Sequence, residues 1–239
     1  MGATKTGRSR RVALSAAVLL LSLGAAGLVR AAEPPAPATP ACPPPETTAT
    51  SPTPPAAPGT PGASPYRPAP TEVLACVAGS EISGASFAHW ATVAERDEPP
   101  RRRTPNAEPT RVQMLQVMGF LVSSDWVIGE AADLHIVVSP AAVRRRFDRL
   151  RREQFHGRWQ YGAFLKQTGE TTADVMLRVR LSMISTLIQQ HAVGHHRGAR
   201  GQQEALARFV HGFQEEWKAQ TYCESLYATQ DCGHTAGTL

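Results

Sequence analysis

The chain has 239 residues and a formal net charge of +5, a basic balance typical of nucleic-acid-binding proteins. Five of its 25 Lys and Arg residues lie among residues 1–32, which contain no Asp or Glu. The remaining 20 basic residues are balanced by 20 acidic residues, and a neutral body lacks a general attraction to phosphate backbones. We therefore expect no nucleic-acid partner. Of the 20 Pro residues, 15 fall in residues 31–71, which leaves residues 72–239 to form one hydrophobic core.

The first 30 residues predict export. A basic segment ending at Arg11 precedes the uncharged run Val12–Val29. As a helix this run would span roughly 27 Å, just short of the hydrocarbon core of a bilayer. Residues 1–30 are therefore either a cleaved signal peptide or a single-span anchor, and both send the rest of the chain across the membrane. We expect an extracytoplasmic protein, secreted or anchored by this segment.

The Pro-rich residues 31–71 predict a disordered linker. Such a composition cannot bury enough apolar surface to pack a core, and it favours an extended chain. At ~3.1 Å per residue the segment would reach on the order of 100 Å. A spacer that crosses a cell-wall layer and a passive linker both fit this composition.

The folded region begins with a short strand, after which helical patterns take over. Val73–Val77 is apolar and ends in a turn, and Ser83 is a candidate N-cap for the first helix. Prolines and charges between residues 96 and 109 predict an exposed loop. The next helix, about Thr110–Leu134, is the most apolar, and its buried stripe is predicted to contain Leu115, Met118, Val122 and Trp126.

Four further helices follow at positions given by their caps. Ser139-Pro140 opens one helix, and Gln160–Thr168 forms a short helix closed by Gly169. A capping box at residues 171–174 opens a long helix that ends near His191, and the last helix covers about Gln202–Thr221. The fold class is therefore mainly α, with five or six helices and little sheet. All four tryptophans are predicted to lie mostly in the core: Trp90, Trp126, Trp159 and Trp217.

Several stretches, in the same order, resemble the extracytoplasmic SurA/PrsA-type foldases of bacteria. The resemblance is to their SurA N-terminal-like helical chaperone domain, and it covers roughly residues 72–239. It is carried by the ordered set Ile82–Trp90 (ISGASFAHW), Phe120–Ala132 (FLVSSDWVIGEAA), Phe164–Thr172 (FLKQTGETT), Val175–Thr186 (VMLRVRLSMIST) and Ala207–Cys223 (ARFVHGFQEEWKAQTYC).

The resemblance implies a discontinuous chaperone domain, in which a parvulin prolyl-isomerase domain separates the N-terminal helices from a returning C-terminal helix. Here the corresponding connection is Ala192–Gly201 (AVGHHRGARG), which is too short to hold a parvulin domain. The isomerase activity of the family is therefore not carried over, and we expect a chain that keeps the scaffold without the catalytic insert.

The cysteines predict an oxidising compartment. Cys223 and Cys232 would close a short loop after the last helix, and a disulfide there would stabilise the fold by roughly 2–3 kcal/mol. We expect this bond to hold a C-terminal hook against the last helix. Cys42 and Cys76 remain, and their pairing stays open because Cys42 lies in the predicted linker.

Two polar clusters have both functional and structural interpretations. His191, His195 and His196, with His211 on the next helix, include a metal-ligand spacing, but glycines among them favour a loop, and we expect no metal site and no cofactor. Seven arginines fall between Arg144 and Arg158 against two acidic residues. They either attract acidic client segments or anionic envelope polymer, or form a solvated helix face, which is the commoner case.

The expected function is ATP-independent, chaperone-like binding of unfolded or partly folded exported polypeptides. Two alternatives are a prolyl isomerase-related foldase and a structural module that docks one dedicated partner. The membrane is a further partner if residues 1–30 are retained. Candidate client-binding or core side chains are apolar: Phe120, Trp126, Phe147, Met183, Phe209, Phe213 and Trp217.

Overall fold

The computed structural model describes residues 66–97 and 109–235, and these are mainly helical, as predicted. Residues 1–30, most of the predicted linker and residues 98–108 lie outside the described residues. Six α-helices and four short strands occur in the described ranges: β1 Val73–Val77, β2 Ser80–Ser83, α1 Gly84–Asp97, α2 Arg111–Asp133, α3 Pro140–Gln154, α4 Arg158–Thr168, α5 Thr172–Val193, α6 Ala199–Ala219, β3 Thr221–Cys223 and β4 His234–Thr235.

The sheet joins the start of the described chain to its end, in the strand order β2-β1-β3-β4. β1 and β2 form an antiparallel hairpin whose turn holds Ala78 and Gly79 at positive φ. β3 pairs antiparallel with β1, and β4 runs parallel to β3. The predicted last helix extended to Thr221, but α6 ends at Ala219 because Thr221 pairs with Val77 as part of β3.

Where the sequence carries a capping signal, the helix ends lie where they were predicted, whereas α4 begins at Arg158 instead of Gln160 and α6 begins at Ala199 instead of Gln202. The backbone N–H of Ala142 donates to Ser139 Oγ at the start of α3, and Gly169 adopts the left-handed conformation after α4. Thr171 and Asp174 form the capping box of α5. These local hydrogen bonds satisfy backbone groups that a helix end leaves unpaired.

Helix α2 packs against elements on several sides and connects the buried clusters. It contributes Met114, Met118 and Val122 to the cluster formed with the sheet and α1. Its C-terminal half joins α5 and α6 in a second cluster, whereas α3, α4 and α5 form a third around Phe147. By length and composition α2 is the helix among the described residues that is apolar enough to cross a membrane. A core helix of a soluble protein meets the same criterion.

Two tryptophan indoles connect α2 to the end of α6 and to the start of β3. Trp217 Nε1 donates to Glu130 Oε2 at 2.7 Å, and Trp126 Nε1 donates to Thr221 Oγ1 at 2.8 Å. Thr221 Oγ1 in turn donates to the carbonyl of Trp217. All these groups are buried, so each polar atom named has its partner inside the core.

The predicted disulfide Cys223–Cys232 is present, with an S–S distance of 2.06 Å. It links β3 to the segment before β4, so residues 223–235 form a hook at the end of α6. Cys76 is also disulfide-bonded, and Cys42 lies outside the described residues.

Three further predictions of burial or boundary differ from the structure. Residues 66–71, assigned to the linker by composition, belong to the folded body, because Tyr66 packs against Tyr227 and Ala85 N donates to the carbonyl of Pro70. Trp159 is 74% exposed instead of buried, since it lies in the first turn of α4 on the side away from Tyr161 and Phe164. Leu115 is 36% exposed because it lies at the edge of the buried face of α2, about 100° around the helix from Met114.

Candidate functional site

The seven apolar side chains singled out from the sequence do not form one groove. Trp126, Phe147 and Trp217 are buried, and the first and last of these make the core hydrogen bonds described above. Met183 packs half-buried in the α3–α4–α5 cluster. The other three of the seven are also partly accessible and lie on α2 or α6: Phe120, Phe209 and Phe213.

Phe120 is covered by a charged side chain of α5. The guanidinium of Arg178 lies 5.0 Å from the centre of the Phe120 ring and 4.9 Å from that of Trp90. Glu170 Oε1 is 2.8 Å from Arg178 Nε, which fixes the guanidinium over the two rings. This stack joins α5 to α1 and α2. We therefore assign Phe120 a structural role and not a role in client binding.

Phe209 and Phe213 lie on a stripe of α6 that the rest of the fold covers incompletely. Their rings stack 6.2 Å apart, and Phe213 meets the edge of Trp126 at 5.9 Å. Phe209 packs against the cluster of Ala131, Ile184 and Ile188. One side of each ring is therefore held by the core while the other stays accessible.

Two more exposed apolar side chains lie on the same pair of helices. Val210 is 41% exposed on α6, and Leu187 is 37% exposed on α5. The connection of residues 194–198 returns α6 along α5 as a helical hairpin. We refer to the accessible apolar residues of this hairpin as the α5–α6 surface, which comprises Leu187, Leu206, Phe209, Val210 and Phe213.

Charged groups of both signs border the α5–α6 surface. Arg200 Nε lies 2.9 Å from Glu204 Oε1, and His211 Nδ1 lies 3.2 Å from Glu215 Oε2. Both pairs are well exposed and contribute little to stability. An apolar stripe with a mixed polar rim is the usual composition of a protein-binding surface.

A cleft between α2 and the hook is a second candidate, which sequence reasoning missed. Its volume is about 400 Å³, and its lining residues are Leu115, Gln116, Gly119, Thr229, Gln230 and Asp231. Burial raises the pKa of the Asp231 carboxyl above its ordinary value, and nearby Lys218 lowers it in part. No sequence pattern marks this cleft, because the disulfide-linked hook reaches α2 only through the tertiary fold.

The histidine-rich locality does not form a metal centre in the part of the chain that the structure describes. No group of three or more His, Cys, Asp or Glu side chains is placed to hold an ion there. His191, His195 and His196 are exposed around the end of α5, and His211 pairs with Glu215 on α6.

Comparison with protein-family models, with curated proteins and with solved structures finds no match for this chain.

Proposed function

We propose that this chain is an extracytoplasmic, ATP-independent, chaperone-like protein that binds unfolded or partly folded exported polypeptides. Binding takes place on the α5–α6 surface, where apolar side chains of a client replace water on the exposed faces of Phe209, Val210 and Phe213. The proposal also rests on the resemblance to SurA/PrsA-type foldases and on the export that the sequence of residues 1–30 predicts.

The observation that carries the proposal is the incomplete burial of the apolar stripe on α6. Leu206, Phe209, Val210 and Phe213 recur at helical spacing, yet none of them is fully buried, whereas Trp217 on the same stripe is. Helix α6 is packed against the core, and its partly exposed apolar stripe therefore forms a preformed apolar surface. Preformed surfaces bind flexible segments without a further ordering cost in the protein.

Weak and reversible binding follows from the small number of side chains on this surface. Each client side chain that becomes fully buried contributes roughly 1.5–3 kcal/mol, and the ordering of the client opposes this gain. A few such side chains are enough to lower the free concentration of an aggregating species without holding it permanently. Release then requires no nucleotide.

The isomerase-related alternative receives less support. Residues 194–198 connect α5 directly to α6, at the position where the resembled foldases carry their parvulin domain. The alternative of a dedicated docking module uses the same surface and differs only in its selectivity for one partner.

Light scattering of an aggregating, chemically unfolded protein tests the proposal. Near-stoichiometric amounts of the chain from residue 31 onward, without nucleotide, are expected to suppress aggregation of several unrelated clients. Failure with every client would overturn the general chaperone function and leave the docking module.

A pair of matched variants locates the binding surface. Leu187→Ser with Val210→Ser removes exposed apolar groups of the α5–α6 surface and is expected to reduce suppression severalfold at unchanged stability. The control is Val112→Ser, which removes an exposed valine on α2 beyond the cleft. If the double variant suppresses aggregation as well as the control does, the binding surface has been wrongly assigned.

A further inference from the structure

Helices α3 and α4 form the most strongly charged surface of the described residues. Between Pro140 and Thr168 the chain has eight basic residues and only two acidic ones, Asp148 and Glu153. Of the eight, Arg151 has an acidic partner within ion-pair distance among the described residues, namely Asp148 at 3.3 Å. Among the described residues, the other basic side chains of this segment have no acidic group within ion-pair distance: Arg144, Arg145, Arg146, Arg149, Arg152, Arg158 and Lys166.

Three of these arginines share one face of α3. Arg145, Arg149 and Arg152 are spaced by four and three residues, so their side chains lie in a row. All three are exposed, and the opposite face of the helix buries Val143 and Phe147 in the core. The row therefore points away from the protein body.

The row ends at a recess beside an exposed tryptophan. A cavity of about 150 Å³ at the α3–α4 corner is lined by Arg151, Arg152, Phe155, Gly157 and Arg158. Trp159 follows directly and is 74% exposed, although its size and apolarity favour burial. Arginines around a shallow recess with a neighbouring exposed indole form a surface with separate contacts for an anionic headgroup and for the interface beneath it.

We propose that this α3–α4 basic surface docks on a bilayer rich in anionic phospholipid, with Trp159 at the headgroup level. Charge complementarity identifies the occupant, because each arginine near an anionic leaflet adds about 1 kcal/mol of attraction. The indole distinguishes a lipid interface from a purely ionic polymer, since aromatic side chains of this type concentrate at membrane–water boundaries. The inference does not depend on the proposed chaperone function.

Vesicles with brominated acyl chains test the proposal with the full chain. In vesicles of one part phosphatidylglycerol to two parts phosphatidylcholine, the fluorescence of Trp159 is expected to be quenched. Vesicles of phosphatidylcholine alone are expected to leave it unquenched, even if residues 1–30 insert into both. The contribution of Trp159 is the difference between the native chain and Trp159→Phe.

Two triple variants test whether the quenching of Trp159 depends on the arginine charges of α3. Arg145→Gln, Arg149→Gln and Arg152→Gln together are expected to weaken anionic-vesicle docking about tenfold or more, with circular dichroism unchanged. The charge-matched control is Arg197→Gln, Arg200→Gln and Arg208→Gln on the exposed side of the α5–α6 hairpin, which is expected to preserve docking.

Three results would overturn the proposal. These are equal quenching in the two vesicle types, equal losses in the two triple variants, and binding to an anionic polymer or an acidic peptide without any quenching by lipid. The last result would assign the surface to a polymer or to acidic clients.

Discussion

At the residue scale, α2 approaches the last turn of α6 closely at a glycine. A Cβ on Gly129 would overlap the indole ring of Trp217, so only glycine allows the ring to reach this position. The next residue along the chain, Glu130, accepts the hydrogen bond of that indole. Gly129 thus lowers the helix propensity of α2, but it allows the buried indole N–H of Trp217 to donate to Glu130.

We predict that Gly129→Ala destabilises the protein by about 1–3 kcal/mol, because the added methyl group displaces Trp217 from Glu130. Urea unfolding followed by circular dichroism measures the change. Gly162→Ala in α4 is the matched control, since a Cβ there meets no atom within 4 Å. This substitution replaces a helix-destabilising glycine and should therefore not lower the free energy of unfolding. Equal effects of the two substitutions would show that the close packing on Trp217 contributes nothing.

At the element scale, α5 depends on a charged cap that also contacts α1. Asp174 Oδ2 accepts hydrogen bonds from Thr171 N at 2.7 Å and from Thr171 Oγ1 at 2.8 Å. Its Oδ1 lies 3.0 Å from His89 Nε2. Burial alone would raise the pKa of this carboxyl, but the hydrogen bonds from Thr171 and the neighbouring His89 lower it overall. The ionised carboxylate therefore stabilises the fold at neutral pH.

We predict that Asp174→Asn lowers the free energy of unfolding by about 1 kcal/mol at neutral pH, through the weakened cap and the lost charge at a helix N-terminus. Because the folded-state pKa is below the ordinary value of 3.8, this stabilisation is complete above 3.8 and is lost as the pH falls through the folded-state pKa. Urea unfolding across this acidic range should therefore show the difference between native and variant chains disappearing.

The control for this pH dependence is Asp148→Asn, which removes an exposed i,i+3 partner of Arg151 and should change stability by less than about 0.5 kcal/mol. A native–variant difference at Asp174 that grows on acidification would contradict the assigned sign.

At the scale of the whole molecule, two connections to α6 differ in how tightly the fold constrains them. Residues 194–198 between α5 and α6 lie on the surface, and His195, His196 and Arg197 are exposed. The connection from α6 to β3 is Gln220 alone, whose carbonyl accepts a hydrogen bond from Ala78 N at 3.0 Å. The scaffold is therefore open to insertion at the first connection and closed at the second.

We predict that a flexible Gly/Ser segment that lengthens the 194–198 connection fourfold costs only about 1.2 kcal/mol, because loop-closure entropy rises slowly with length. The same segment inserted beside Gln220 should detach β3 from β1 and cost more than about 3 kcal/mol. Urea unfolding of both insertions measures the difference. A large loss at 194–198 would show that this short connection is itself needed for the hairpin.

Local chemistry made much of this architecture predictable. The caps at Ser139 and Thr171, the left-handed Gly169 and the strand Val73–Val77 each depend on interactions within a few residues, so their signals are complete in the sequence. The Cys223–Cys232 bond was predictable for the same reason, since it closes a short loop.

Features that depend on distant partners were not predictable in this way. β3 has three residues and carries no pattern of its own, so its pairing with β1 becomes visible only once α6 places Thr221 opposite Val77. The α2–hook cleft depends on the same long-range placement.

The sequence by itself determined the helical class, the capped starts of α3 and α5 and the apolar stripes, because periodicity and capping act over one or two turns. Tertiary structure decided which apolar residues are covered. Trp217 and Phe213 look alike on the α6 stripe, yet Glu130 and Gly129 enclose Trp217 while Phe213 stays half open. Burial depends on which elements pack against a face, and that information resides in contacts between segments far apart in the chain.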